Sequence, residues 1–359
     1  MSVRILDWHL LSSYAGLLSL AASIVYSGSY GSLPSKPYSF REKSKDGGNS
    51  EDSDDEEELE RLSIEDAWLF PVFGSFALYG LYLIIKYYGS EWINLVLGWY
   101  FVTTGVGSVW AVLRSLVRFM IGKTRWRSFE KYSLRYSKGK SKDLGRISWR
   151  APTMYLFPLA VLPSILYAAS DSPKSALLTD ILAVSFSFNA ISLLQLDSFL
   201  TGSVVLGGLF VYDIWWVFGT EVMVKVATKV DAPIKLLWPK SMWLASDRGF
   251  VMLGLGDVVV PGIFVALALR YDVYQEQHGK GPRRVFFWAS LTGYCFGLFT
   301  TMAVMHVFRA SQPALLYISP ACILSILIAG SMRGELRDMW EWVDGGRQAP
   351  KVADEKKTE

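Results

Sequence analysis

Two aspartates stand where the surrounding sequence gives a carboxylate almost nothing polar. Asp213 lies in Leu209-Phe210-Val211-Tyr212-Asp213-Ile214-Trp215-Trp216-Val217-Phe218, and Asp257 in Met252-Leu253-Gly254-Leu255-Gly256-Asp257-Val258-Val259-Val260-Pro261. A charged side chain inside an apolar run of membrane-spanning length is costly and marks a functional site by default. Two carboxyl groups sharing one desolvated site do not both ionise easily, so such a pair holds one proton between them. The ionised member can take a proton from water as general base, and the protonated member can donate to a carbonyl oxygen. That chemistry hydrolyses an amide without a nucleophilic serine, a cysteine or a metal.

Gly254 and Gly256 flank Leu255 just before Asp257. Missing side chains there allow close approach of a substrate backbone or local unwinding. Glycines in spans also serve helix packing, but an aspartate one residue later favours the site. Tyr212 either orients the pair or packs beside it. A third element, Gln312-Pro313-Ala314-Leu315, precedes the last apolar run. A proline early in a helix is ordinary; its weight comes from falling on the side toward which both aspartates are offset.

These residues must be positioned by membrane helices. The 359-residue chain is 51% hydrophobic, 14% aromatic and only 19% charged, with a mean hydropathy of +0.26. Soluble domains carry about 25% charged residues. Disorder, coiled coil and collagen are excluded, and an all-α polytopic membrane protein fits. Nine apolar runs of spanning length occur, at about 10–26, 67–87, 93–113, 153–169, 176–196, 201–220, 250–269, 285–308 and 314–332. The first reads as an uncleaved anchor rather than a signal peptide. The break between the fifth and sixth falls at Asp197 and Ser198. The two cysteines both lie in apolar runs and the three histidines are scattered, so neither a disulfide framework nor a metal site is expected, and no cofactor is needed.

Loops after odd-numbered runs hold 27 Lys and Arg against 8 on the other side. By the positive-inside rule the C-terminus is cytosolic and the N-terminus luminal. Successive runs alternate in direction, so Asp213 and Asp257 reach one depth, about 10 Å from the non-cytosolic end at 1.5 Å per residue. The chain divides into a five-span part (1–199), a part with spans six to nine (200–335) and a cytosolic tail (336–359). The first part contains a polar insert (33–62) that turns acidic over 51–60 and a basic loop (121–150). The insert reads as a solvated loop. The basic loop reads as facing anionic lipid rather than nucleic acid.

Tyr212-Asp213, Gly254-Leu255-Gly256-Asp257 and Gln312-Pro313-Ala314-Leu315, in this order and spacing, resemble the presenilin and signal peptide peptidase clan of intramembrane aspartyl proteases, and most closely the signal peptide peptidase family. The dense resemblance runs over about 199–335, including the stretch 231–236. It implies nine spans, with the catalytic aspartates of spans six and seven matching Asp213 and Asp257. It also implies an active site shaped by the motif matching Pro313, Ala314 and Leu315. The implied substrates are type II membrane segments: remnant signal peptides and some tail-anchored or quality-control proteins. Lys356 and Lys357, in the last four residues, resemble a dilysine endoplasmic reticulum retrieval signal. The partners expected are helical transmembrane substrates, the lipid bilayer, components of endoplasmic-reticulum-associated degradation and a further copy of the chain. Two other readings remain open from the residues alone. One is a proton- or cation-coupled transporter or channel with paired intramembrane carboxylates; the other is a membrane quality-control scaffold.

Overall fold

A computed structural model describes residues 8–34, 61–137, 143–170, 175–230, 232–240, 249–279, 284–308 and 312–344. Most of the polar insert, Asp231, and the tail with Lys356 and Lys357 lie outside them. In chain order the elements are α1 (Trp8–Gly31), β1 (Arg61–Leu62), α2 (Ile64–Tyr88), α3 (Ser90–Ile121), α4 (Lys123–Ser128), β2 (Lys131–Ser137), β3 (Asp143–Arg150), α5 (Ala151–Ala169), α6 (Ala176–Leu193), β4 (Gln195–Leu196), α7 (Phe199–Phe218), α8 (Val222–Lys229), β5 (Lys235–Pro239), β6 (Phe250–Gly254), α9 (Gly256–Gln277), α10 (Val285–Phe308), α11 (Leu315–Arg333) and α12 (Leu336–Glu341).

Eight of these helices are long and apolar enough to cross a membrane: α1, α2, α3, α5, α6, α7, α10 and α11. The protein is thus a helical multi-pass membrane protein. α9, which carries Asp257, Arg270, Asp272 and Glu276, is not among these eight. Its burial explains how it can carry Arg270 and Asp272. From Pro261 to Asp272 every residue is buried, and the helix packs against α1, α6, α7, α10 and α11. A helix enclosed by neighbours has no lipid face to keep apolar, and its polar groups find protein partners instead.

The packing around α9 uses small residues. A Cβ on Gly202 of α7 would meet the Phe264 ring at 2.6 Å, and one on Gly262 would meet Ile191 of α6 at 2.6 Å. Gly293 and Gly297 let α10 approach α11 backbone to backbone; a Cβ on Gly297 would lie 2.7 Å from Ile318 Cα. This is the small-xxx-small interface of membrane helices.

The break between the fifth and sixth runs falls at the expected place. β4 interrupts the helices, and Ser198 caps α7 by accepting the Thr201 N–H at 3.2 Å. The seventh run differs from expectation. Residues 250–254 form a strand, β6, paired antiparallel with β5, so the helix begins only at Gly256. Glycines on both sides of Leu255 and the β-branched, aromatic character of Phe250-Val251 favour an extended entry. The basic loop also has structure. β2 and β3 form an antiparallel hairpin that sets Lys131, Ser133 and Arg135 opposite Arg150, Ser148 and Arg146.

The end of α9 remote from Asp257 is tied down by polar contacts. Arg270 Nε stands 2.8 Å from Asp344 Oδ2, with both side chains at most 3% exposed. Arg270 Nη2 donates to Leu196 O at 3.1 Å. Asp344 N–H donates to Asp197 O at 2.7 Å. The segment after α11 thereby closes over the ends of α7 and α9.

Candidate active site

Asp213 sits in the last turns of α7, five residues before Phe218, and Asp257 is the second residue of α9. Because α7 ends where α9 begins, both carboxylates lie at one end of the bundle. The expected position within the helices is corrected. Asp257 is not seven residues inside a helix; it opens the first turn, immediately after β6.

Asp213 is 5% exposed, and its Oδ2 accepts the Leu315 N–H at 3.0 Å. Leu315 is the first residue of α11, so the donor is one of the amides that a helix start leaves without an internal partner. A helix N-terminus also carries partial positive charge, which suits a carboxylate. The Gln312–Leu315 motif therefore touches the first aspartate directly. Pro313, Ala314 and Leu315 are buried and Gln312 is half-buried. Ala314 O accepts the Tyr317 and Ile318 amides, closing the first turn of α11, and also the Thr301 hydroxyl of α10 at 3.4 Å.

Asp257 is half-buried, and α9 packs against both α7 and α11. The two glycines before it differ. A Cβ on Gly254 would lie 3.3 Å from Asp257 Oδ2, whereas one on Gly256 would meet nothing within 4 Å. Gly254 clears room for the carboxylate; Gly256 leaves open space beside it. Leu255 joins strand to helix: its N–H donates to Ile234 O at 3.0 Å, and its carbonyl accepts the Val258 and Val259 amides. The Tyr212 ring packs beside Trp216, centroids 6.2 Å apart, and faces Gly74 of α2.

Asp213, Asp257, Gly254, Leu255 and the Gln312–Leu315 motif are thus gathered around one end of α7, α9 and α11. Asp180 was not among the expected site residues. It stands in the second turn of α6 with its Oδ1 accepting the Leu237 N–H of β5 at 2.8 Å. The hint in the sequence was a carboxylate within an apolar run; the partner, 57 positions away, had no signal.

The signal peptide peptidase family model matches residues 54–345. Signal peptide peptidase of Mus musculus is 37% identical over 306 residues, covering 84% of this chain and 78% of the mouse protein. That of Homo sapiens is 37% identical over 303 residues, covering 83% and 78%. A probable intramembrane protease of Schizosaccharomyces pombe is 34% identical over 297 residues, covering 82% and 88%. With a match over most of its length, the chain belongs to the signal peptide peptidase family and is an intramembrane aspartyl protease.

Proposed function

We propose that Asp213 and Asp257 are the catalytic pair, and that the protein cleaves type II transmembrane segments, remnant signal peptides among them, in the endoplasmic reticulum membrane. The observation that carries this reading is the Leu315 amide on Asp213 at the end of α7, where α9, packed against α7 and α11, begins with Asp257. α9 serves as the seventh of nine spans, enclosed by the others. The surplus of Lys and Arg supports a luminal N-terminus and a cytosolic C-terminus, which puts the pair toward the lumen. A cytosolic tail is where Lys356 and Lys357 would act in retrieval. Membership of a peptidase family sets aside the transporter reading; a quality-control role, with degradation components as partners, is compatible with proteolysis.

A substrate helix hides each carbonyl in an i to i−4 hydrogen bond, so it must unwind before cleavage. β6 offers a place for the freed strand. In the β5–β6 ladder the Leu255–Ile234 and Lys240–Gly249 bonds fix the alternation, and Met252 and Gly254 turn their backbone groups to the outer edge. Gly254 and Met252 are exposed, so an extended segment can add there as a strand. Its scissile carbonyl then comes to the carboxylates just beyond Gly254.

The pair begins with one proton. The ionised carboxylate removes a proton from water as the water oxygen bonds to the carbonyl carbon. The protonated carboxyl gives its proton to the carbonyl oxygen, and a neutral tetrahedral gem-diol forms. The C–N bond then breaks: one carboxyl protonates the amine nitrogen, and a gem-diol proton returns to the other carboxylate as the acid forms. The pair ends with one proton again.

A peptidomimetic transition-state analogue bearing a photoreactive group tests this reading. Labelling of wild type, competed by unlabelled analogue and mapping to peptides around residues 213, 257 and 312–315, is expected. Labelling confined to peptides away from these segments contradicts it.

A further inference from the structure

The β5–β6 hairpin has two edges, and the structure treats them differently. The bonds Leu255 N–H to Ile234 O and Lys240 N–H to Gly249 O bracket the ladder. Between them the even-numbered residues of β5 bond to β6, and Lys235, Leu237 and Pro239 turn their backbone groups outward. These outward groups meet side chains from two membrane helices, not another strand. Leu237 N–H donates to Asp180 Oδ1 of α6 at 2.8 Å. Pro239 O accepts the Ser13 hydroxyl of α1 at 2.8 Å. Pro239 has no N–H to leave unsatisfied, as suits an edge. Between these anchors Trp238 packs on Gly16 of α1, leaving no space for a Cβ there. On β6, among the described residues, no hydrogen bond reaches the outward groups of Met252 or Gly254.

A half-buried carboxylate in a membrane helix is costly, and among the described residues its one polar contact is the Leu237 amide. An ionised acceptor makes such a bond roughly twice as strong as a neutral one. The bond acts on the strand that carries β6, and β6 runs directly into Gly254, Leu255, Gly256 and Asp257.

We propose that Asp180 is a positioning residue of the protease. It pins β5 to α6, closes that edge to pairing, and through the ladder fixes where β6 presents its open edge and Asp257 to the substrate strand. This rests on the reading of Asp213 and Asp257 as the catalytic pair. Asp180 sets the register of the cleaved bond without touching it.

The test compares Asp180→Ala, Asp180→Asn and Asp257→Ala in the purified full chain, with active sites titrated by a transition-state analogue. Cleavage of a type II helix is followed by kinetics and by mass spectrometry of the products. Asp180→Ala should lose on the order of tenfold to hundredfold in kcat/KM per titrated site, the worth of one charge-assisted hydrogen bond. It should also cleave at additional neighbouring bonds. Asp180→Asn keeps an acceptor and should recover most of the rate and the single cleavage site. Should Asp180→Ala yield no folded protein, Ser13→Ala, which frees the next anchor on the same edge, should broaden cleavage in the same way. A purely structural role would lower the amount of titratable enzyme but leave kcat/KM per site and the cleavage position unchanged, and that result overturns the proposal. Wild-type rates in Asp257→Ala would overturn the catalytic pair instead, so the two failures are distinguishable.

Discussion

The two glycines before Asp257 make a paired prediction. A Cβ on Gly254 would sit 3.3 Å from Asp257 Oδ2 and 3.9 Å from its Cγ. That contact is tight enough to displace the carboxylate by roughly a few tenths of an ångström. A misplacement of about 1 Å costs about a hundredfold in rate, so Gly254→Ala should lower kcat about threefold to fivefold. The larger Gly254→Val should cost on the order of a hundredfold. The backbone does not oppose alanine there, since Gly254 lies in an ordinary strand and has no positive φ. Replacing a strand glycine by alanine gains roughly 0.5–1 kcal/mol. The expected signature is therefore a slower enzyme that unfolds no earlier. Gly256→Ala should do the opposite. Its Cβ meets nothing within 4 Å and it adds about 1 kcal/mol of helix preference, so kcat stays near wild type. KM rises if the substrate backbone fills that space. The assay is steady-state cleavage of a type II transmembrane peptide in detergent, with thermal unfolding of the same samples. Wild-type kcat in Gly254→Ala together with lost kcat in Gly256→Ala would refute the idea that β6 fixes the position of Asp257.

Three further outcomes follow from named contacts. Asp344→Ala leaves Arg270 buried without its counter-ion and should cost about 3–5 kcal/mol; Arg270→Met with Asp344→Leu should recover most of that in a thermal double-mutant cycle. Gly297→Ala forces α10 from the backbone of α11, where only 2.7 Å separates the new Cβ from Ile318 Cα. Overpacking of this kind costs about 1–3 kcal/mol, and kcat should fall as Leu315 N–H leaves Asp213. The pH profile of kcat should be bell-shaped, because a pair with two protons lacks its base and a pair with none lacks its acid. Asp257→Asn should show no residual bell, and a single sigmoid in wild type would argue for one titrating group.

How far the sequence could be read depended on whether each signal was local. Long apolar runs identify membrane helices because every residue contributes to hydropathy. Asp197-Ser198 marked a helix boundary because a capping serine acts on its own neighbours. The start of α9 was misjudged because the apolar run 250–253 suits a buried strand as well as a helix, and only pairing with 236–239 decides it. The hairpin at 131–150 had a readable period of two in Tyr132-Ser133-Leu134-Arg135-Tyr136, hidden beneath its charge. Asp213, Asp257 and Leu315 were legible as types in order, but not the Leu315 N–H on Asp213, which joins positions 102 apart. The Asp180–Leu237 and Arg270–Asp344 contacts were illegible for the same reason: their meaning depends on a partner that the fold alone brings near.

The central claim is that Asp213 and Asp257 together perform the hydrolysis. Its most direct test is cleavage of a signal-peptide-like type II helix by purified, detergent-solubilised protein, with Asp257→Ala and Asp213→Ala beside wild type and folding checked by thermal unfolding. Cleavage by wild type alone, with both variants folded and inactive, is the predicted result. Equal cleavage by wild type and either variant would contradict the account.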